Sequence, residues 1–210
     1  MLLAAAMVLL WAGMVHAENC GSLFTHYGPF DYRTDRDKLP VVENYHFRPE
    51  VEALVRSRKM DLPGQLNYTL HAFPNHHRAL MALIRYSRQE KSAQPKKVAY
   101  SVDCYFDRAL RFRPNDTTVR MIFAQYLAST GRQSAAMEQL NQAVEFAGDN
   151  GWTHYNIGLV YLELGRYEQA QVQALRAQSL GFDGEELKSQ LQSKGQWSSA
   201  ATPASAPTPN

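Results

Sequence analysis

The sequence that decides the fold reads TTVRMIFAQYLASTGRQSAAMEQLNQAVEFAGDN over Thr117–Asn150 and GWTHYNIGLVYLELGRYEQAQVQALRAQSLGFDG over Gly151–Gly184. The two stretches share one pattern, in which residues of similar size recur at a constant offset of 34 positions. The matched pairs are Ala124 with Gly158, Leu127 with Tyr161, Gly131 with Gly165, Ala136 with Ala170, and Ala143 with Ala177. A fixed period of about 20–50 residues indicates a stack of structural repeats.

Each unit predicts a helical hairpin. An apolar-periodic run is followed by a Gly-Arg turn at 131–132 or 165–166, and then by a second periodic run that ends near Gly148 or Gly181. The small residues lie where two antiparallel helices must approach each other closely, and the larger ones fill the layer around them. The spacing therefore has a packing cause.

The pattern resembles the tetratricopeptide repeat (TPR). The second unit keeps Ile157, Gly158, Tyr161, Gly165, Tyr167, Ala170 and Ala177, and the first keeps Phe123, Ala124, Gly131, Ala136 and Ala143. The departures are the two tyrosines missing from the first unit, His154 in place of a tryptophan, Ala174 in place of an aromatic residue and Phe182 in place of a proline. The resemblance implies an all-α, TPR-like α-solenoid.

The residues before and after the two units extend this solenoid. Periodic apolar residues predict helices over Gln65–Phe73, His77–Lys91 and Val98–Arg113, and residues 65–116 are predicted to form a degenerate repeat with an insertion around 89–97. We therefore expect about three helical hairpins. Residues 185–195 are predicted to form a capping helix, and residues 196–210, rich in Ala, Ser, Pro and Thr, a disordered tail.

Residues 18–64 predict an ordered but mostly irregular N-terminal arm. They combine many turn formers with many aromatic residues, and a short helix is expected to begin at Pro49. Within the arm, the segment GPFDYR, like the later NHHRAL, resembles stretches of exported bacterial TPR proteins, and this resemblance implies no particular activity. Phe30, Asp31, Tyr32 and Arg33 therefore form either a docking motif or a contact that fixes the arm to the helices.

Met1–Ala17 is predicted to be a signal peptide, because an apolar run ends in small residues at Val15-His16-Ala17. It has no Lys or Arg in its first residues, so a start further upstream and a retained anchor both stay open. We expect an exported, periplasmic protein that is not inserted in the membrane after cleavage. A lipid anchor at Cys20 is disfavoured, because a charge and an amide precede that residue.

Cys20 and Cys104 are the two cysteines of the chain. In an oxidising compartment we expect them to form a disulfide bond, which would close a loop of 84 residues. The alternative is two separate thiols, with Cys104 acting as a small buried hydrophobic residue.

Composition and motifs argue against several classes of function. The net charge of +2 does not predict a nucleic-acid-binding face. The sequence contains no Gly-rich phosphate loop, no Gly-x-Ser-x-Gly and no His-Glu-x-x-His. We therefore predict a protein that is not an enzyme and needs no cofactor.

The TPR resemblance implies a concave groove lined by the first helix of each hairpin. Carried onto this sequence, its residues are Met121, Gln125, Trp152, Tyr155, Leu159 and Glu163. The predicted function is a scaffold or adaptor that binds another envelope or secreted protein, or a peptide segment of one. Two alternatives stay open: Trp152 packs against the preceding turn or the arm, or the arm itself fills the groove.

A competing hypothesis is a periplasmic metal-binding protein. His71, His76 and His77 would be the ligands, although adjacent histidines on a helix point in different directions and no nearby acid or thiol completes a known spacing. The alternative is that Pro74-Asn75-His76-His77 forms a rigid helix entry whose side chains bond to the arm.

Overall fold

The structure is a computed structural model that describes residues 20–57 and 60–198. Every regular element in these ranges is an α-helix. The helices are α1 Leu39–His46, α2 Pro49–Glu52, α3 Leu62–Ala72, α4 His77–Glu90, α5 Val102–Phe112, α6 Thr117–Ser129, α7 Gln133–Ala147, α8 Gly151–Glu163, α9 Tyr167–Ser179 and α10 Glu185–Ser193. The predicted signal peptide and most of the predicted tail lie outside the described residues.

The two predicted repeats are the hairpins α6–α7 and α8–α9, and the helices of each pack side by side along their lengths. The small residues of the pattern are fully or almost fully buried between them, which confirms the packing explanation for the 34-residue period. Gly131 and Gly165 have positive φ angles of 82° and 69°. Because L side chains rarely adopt this conformation, the glycines give each hairpin its turn.

Side-chain caps begin the first helix of each hairpin. The carboxylate of Asp116 accepts from the backbone N–H of Val119, and the side chain of Asn150 accepts from Thr153. These two caps are again 34 residues apart. A cap of this kind satisfies one of the backbone donors that a helix start leaves free.

The helices α4 and α5 continue the stack. The two approach each other closely over a short stretch, because the segment 91–101 separates them, and both pack against α6. Loop residues Lys91 and Lys97 have positive φ angles of 51° and 65°. The helix predicted over Val98–Arg113 begins only at Val102, after the Ser101 side chain caps it through the N–H of Cys104.

The N-terminal arm is more helical than the sequence indicated. It contains α1 as well as the short α2, and α3 begins at Leu62, inside the range assigned to the arm. Pro40 lies in the first turn of α1, where proline is well tolerated because its missing N–H costs nothing. Val42 of α1 is buried in a small core with Ala72 and Phe73 from the end of α3.

The helix α10 covers the last hairpin by packing on α8 and α9. Residues 196–198, which the tail prediction included, are held in place. Trp197 packs against the core of the C-terminal repeats, and the backbone N–H and C=O of Ser198 both bond to the side chain of Gln171. In the described part of the chain, no helix is both long enough and apolar enough to span a bilayer.

Candidate functional site

A concave groove of about 650 Å³ runs across the first helices of the three hairpins, α4, α6 and α8. Its floor is apolar, with Met81 and Ile84 from α4 and Ile122 and Tyr126 from α6. Met81 is 39% exposed, so the floor is open to solvent. None of the described residues of the N-terminal arm lines it.

Two guanidinium groups form one wall of the groove. Arg85 donates to the backbone carbonyl of Glu52 at 2.7 Å, and Arg88 donates to the hydroxyl of Ser129 at 3.1 Å. Among the described residues, neither arginine forms an ion pair with a carboxylate. Both side chains therefore keep donors available to a bound molecule.

The opposite wall is a bridge between two hairpins. Gln125 of α6 donates to a carboxylate oxygen of Glu163 of α8 at 2.6 Å. The groove thus has a positive wall on α4 and a negative end on α8, with the apolar floor between them.

The structure separates the six predicted groove residues into two groups. Gln125 and Glu163 line the groove, whereas Met121 and Leu159 are half-buried and pack against the core of the repeats. Tyr155 is buried, with 8% of its surface exposed. The cavity consequently lies nearer the C-terminal ends of the first helices than the family pattern implied.

The sequence pattern did not predict that α4 contributes to the groove. Met81, Arg85 and Arg88 follow one another at spacings of four and three residues, which places them on one face of α4. A sequence signal existed, because Pro74-Asn75-His76 before α4 repeats the Pro114-Asn115-Asp116 before α6 at an offset of 40. That offset places α4 in phase with α6 once about six inserted residues are assigned to the loop 91–101.

Trp152, Tyr155 and Phe182 form an aromatic platform away from the groove. The ring centroid of Trp152 lies 6.0 Å from that of Tyr155 and 5.2 Å from that of Phe182, and the last two are 5.0 Å apart. Trp152 therefore packs on the loop that follows α9. Its indole remains 58% exposed.

The arm segment containing Phe30, Asp31, Tyr32 and Arg33 is bound to the helices. The backbone N–H of Phe30 donates to the carbonyl of Ala72 at 2.8 Å, and that of Tyr32 donates to the side chain of Asn75 at 3.0 Å. Asp31 is only 2% exposed. Much of the segment is therefore engaged in contacts within the molecule.

Asp31 lies at the centre of an ionic network. It accepts from Arg33 at 2.9 Å, from Arg113 at 2.6 Å and from the amide of Asn75 at 2.7 Å. The same amide donates to Asp116 at 2.8 Å. Burial by itself would raise the pKa of Asp31, but the hydrogen bonds from Arg33, Asn75 and Arg113 outweigh it and hold that pKa well below its usual range.

His76 ties α4 to α1. Its Nδ1 accepts from the N–H of Ala79, so that Nε2 carries the proton and donates to Glu43 at 3.1 Å. Burial lowers the pKa of His76, and the bond to Glu43 only partly opposes that effect. Both ring nitrogens are therefore occupied in hydrogen bonds that hold the helix entry.

The alternative metal site is wrong. His77 bonds to the carboxylate of Asp116 at 3.0 Å, whereas His71 bonds to the carbonyl of Asn67 and lies near Tyr100. The three histidines thus serve separate contacts. Among the described residues, no group of three or more His, Cys, Asp or Glu could hold a metal ion.

The predicted disulfide bond between Cys20 and Cys104 is present, with Cα atoms 5.0 Å apart. Beside it, Arg108 is fully buried and donates to the backbone carbonyls of Cys20 and Ser22 at 3.0 and 2.6 Å. The guanidinium also lies over the ring of Tyr100, 5.0 Å from its centroid. The bridge and the arginine together fix the start of the arm to α5.

Comparisons with known proteins agree with this architecture. A family model described as "TPR repeat" matches residues 125–165, and a second, described as "Tetratricopeptide repeat", matches residues 153–180. No curated protein matches the chain. Stacked helical hairpins of this type build extended concave binding surfaces. Residues 125–180 therefore carry tetratricopeptide repeats.

Proposed function

We propose that the protein is a scaffold or adaptor that binds an extended segment of another protein in the concave groove. The observation that carries this proposal is the open groove across α4, α6 and α8, whose apolar floor lies beside two guanidinium groups without carboxylate partners among the described residues. Exposed apolar surface with a few convergent polar groups is typical of a binding site.

The chemistry of the groove favours a particular kind of segment. An apolar side chain would cover Met81 and Ile84, while Arg85 and Arg88 would donate to carbonyl or carboxylate oxygens of the same segment. Glu163 lies at the other end of the groove and would repel a segment that is acidic along its whole length. We expect a short acidic and apolar stretch rather than a polyanion.

We place this partner in the bacterial envelope. The apolar N-terminal run of the sequence supports export, and the disulfide bond supports an oxidising compartment, where such bonds persist. The partner would then be another exported protein.

We infer binding rather than catalysis from the positions of the carboxylates and histidines with shifted pKa values. Perturbed carboxylates and histidines often mark catalytic sites. In this protein Asp31 and His76 are consumed by hydrogen bonds that fix the arm, and neither lines the groove.

Site-specific photocrosslinking tests the proposal. A photoreactive amino acid at Arg88, in the groove, is compared with one at Glu138, an exposed residue of α7 that does not line the groove. We expect the Arg88 probe to capture a discrete protein in the native envelope that the Glu138 probe does not capture. Equal capture by both probes would contradict the groove model.

A charge reversal provides the second measurement. Arg85→Glu with Arg88→Glu is expected to abolish recovery of the captured protein, because both donors of the wall become acceptors. The matched control reverses two exposed charges elsewhere, Lys96→Glu with Lys194→Glu, and should leave recovery unchanged. Circular dichroism checks that both variants keep their helices.

A further inference from the structure

The aromatic platform of Trp152, Tyr155 and Phe182 is an apolar surface that the groove does not use, and it is exposed mainly through Trp152 and partly through Phe182. Its members come from the start of α8 and from the loop between α9 and α10. The three rings contact one another, and Trp152 presents more than half of its surface to solvent. Such a ring group binds proline-rich chains well, because a polyproline II helix is rigid before it binds and fits between flat aromatic faces.

The path of the chain after α10 leads back towards this platform. A side-chain atom built on Gly184 would meet the ring of Tyr155, and one built on Gly158 would meet Leu187, so α10 runs beside α8 in the same direction. After α10 the chain turns at Gly195, and Ser198 bonds to Gln171 of α9. Gln171 lies close in sequence to Ala170 and Gln173, which contact Gly158. By Ser198 the chain has therefore reversed and returned to the level of Gly158.

The remaining distance is short for the chain that follows. From Gln171 to the end of α9 is about 12 Å at the rise of an α-helix, and Phe182 lies three residues beyond that end. Residues 199–210, which lie outside the described residues, number twelve and would span about 37 Å as a polyproline II helix. The segment can therefore reach the platform.

The composition of this segment matches the platform. It reads SAATPASAPTPN, with prolines at 203, 207 and 209 and no charged side chain. Because polyproline II has three residues per turn, Pro203, Ala206 and Pro209 would share one face. An uncharged, small and apolar face is what an aromatic surface accommodates without desolvating a charge.

We propose that residues 199–210 bind in cis to the aromatic platform, with Pro203 against the exposed ring of Trp152. The C-terminal segment is then a ligand of its own repeat domain and covers the apolar surface at the base of α8. The proposal does not depend on any partner of the groove.

Paramagnetic NMR on the full chain tests the proposal. Thr208→Cys supplies the only thiol for a nitroxide label, since both native cysteines are in the disulfide bond. The indole N–H signal of Trp152, assigned with Trp152→Phe, is expected to be broadened beyond detection and to return when the nitroxide is reduced. An unbroadened Trp152 signal in a folded sample would overturn the proposal.

Two comparisons separate binding from tethering. In the labelled chain with Pro203→Ser, Pro207→Ser and Pro209→Ser, the tether is unchanged, and the Trp152 signal should reappear because the docking face is lost. Persistent broadening in that variant overturns the proposal. A mixture of unlabelled ¹⁵N chain and nitroxide-labelled ¹⁴N chain should show no broadening, and broadening there would assign the segment to a second copy and overturn binding in cis.

Discussion

The C-terminal repeats, residues 117–184, and the N-terminal region, residues 20–116, are built from similar helices but are held together differently. In the repeats, Ala124, Ala136 and Ala170 are fully buried, and close helix contacts supply most of the stabilisation. Among the described residues, the ion pair within this half, Arg176 with Asp149, and the pair that joins it to α5, Arg132 with Asp103, involve partly exposed side chains, and such pairs contribute little.

The N-terminal region depends on contacts between residues distant in sequence. Asp31 bonds to Asn75 and Arg113, the side chain of Arg78 bonds to those of Glu43 and Glu52, and a disulfide bond joins Cys20 to α5. The N-terminal arm is not a repeat, so it cannot pack on a neighbouring unit through equivalent positions as the repeats do. A degenerate repeat can therefore be stabilised by specific polar contacts and a disulfide bond in place of periodic packing.

Removing the disulfide bond should lower the stability of the N-terminal region more than any other change proposed below. Cys20→Ser with Cys104→Ser opens a loop of 84 residues and is expected to cost about 2–5 kcal/mol of stability. Hydrogen exchange should show the loss in the arm, α3 and α5, with α8 and α9 retaining their protection. A uniform loss over the whole chain would show that the two regions unfold as one unit.

Asp31→Asn should have the second largest effect on the free energy of unfolding. The asparagine leaves Arg33 and Arg113 without the carboxylate that pairs them, and we expect a cost of about 2 kcal/mol because both arginines stay partly solvated. Denaturant unfolding at neutral pH measures it. Asp37→Asn, which removes an exposed partner of Lys38, is the control and should change little.

The same carboxylate gives stability a defined acid dependence. The pKa of Asp31 is lower in the folded state than in the unfolded chain, where it is about 3.9. Its contribution is therefore full above about pH 4 and is lost as the pH falls through the folded value. In Asp31→Asn that part of the acid dependence should be absent.

His76 should make the stability of the N-terminal region depend on pH closer to neutrality. Burial lowers its pKa, so the folded state binds fewer protons than the unfolded chain, and stability should fall as the pH drops below about 6.5. His76→Asn keeps a helix cap but does not titrate, and its unfolding free energy should change less between pH 7.5 and 5.5. An equal change in both proteins would assign the dependence to other groups, such as His71, whose pKa burial also lowers.

Gly158→Ala tests packing within the repeats and should have the smallest effect. An added Cβ would lie 2.5 Å from Leu187 of α10, and overpacking of about 1–3 kcal/mol is partly offset by a gain of about 1 kcal/mol in helix propensity. We expect a net loss of about 1 kcal/mol and weaker protection of α10. Ala124→Gly, at the matched position of the first repeat, should lose a similar amount through propensity without loosening α10.

The sequence predicted the part of the fold that is periodic. Bounds of α6 to α9 follow from a pattern repeated at 34 residues, because each residue meets an equivalent neighbour. The arm was predicted less well, since the partners of Asp31 lie at Asn75 and Arg113 and no local pattern connects them. The helix α1 was missed for a local reason, the proline in its first turn.

The lining of the groove was predicted only where it comes from the periodic repeats. Gln125 and Glu163 follow from the repeat, whereas Arg85 and Arg88 depend on placing α4 in register across the inserted loop 91–101. Tyr155 and Trp152 were assigned to the groove by position within the helix. The burial of Tyr155 and the orientation of Trp152 away from the groove depend on Phe182, which contacts both rings, and on Gly184, which contacts the ring of Tyr155. Both residues belong to a loop outside the helix pattern.

The burial of Arg108 beside the disulfide bond has a consequence for how the chain matures. Two of its donors are satisfied only by carbonyls of Cys20 and Ser22, the very residues that the sulfur linkage brings to α5. A nascent chain with reduced sulfurs would leave a permanently cationic group without those acceptors, at a site from which water is excluded. Oxidation of the two sulfurs is therefore coupled to the burial of this charge, and we expect proteases to cleave the reduced chain first in its N-terminal half.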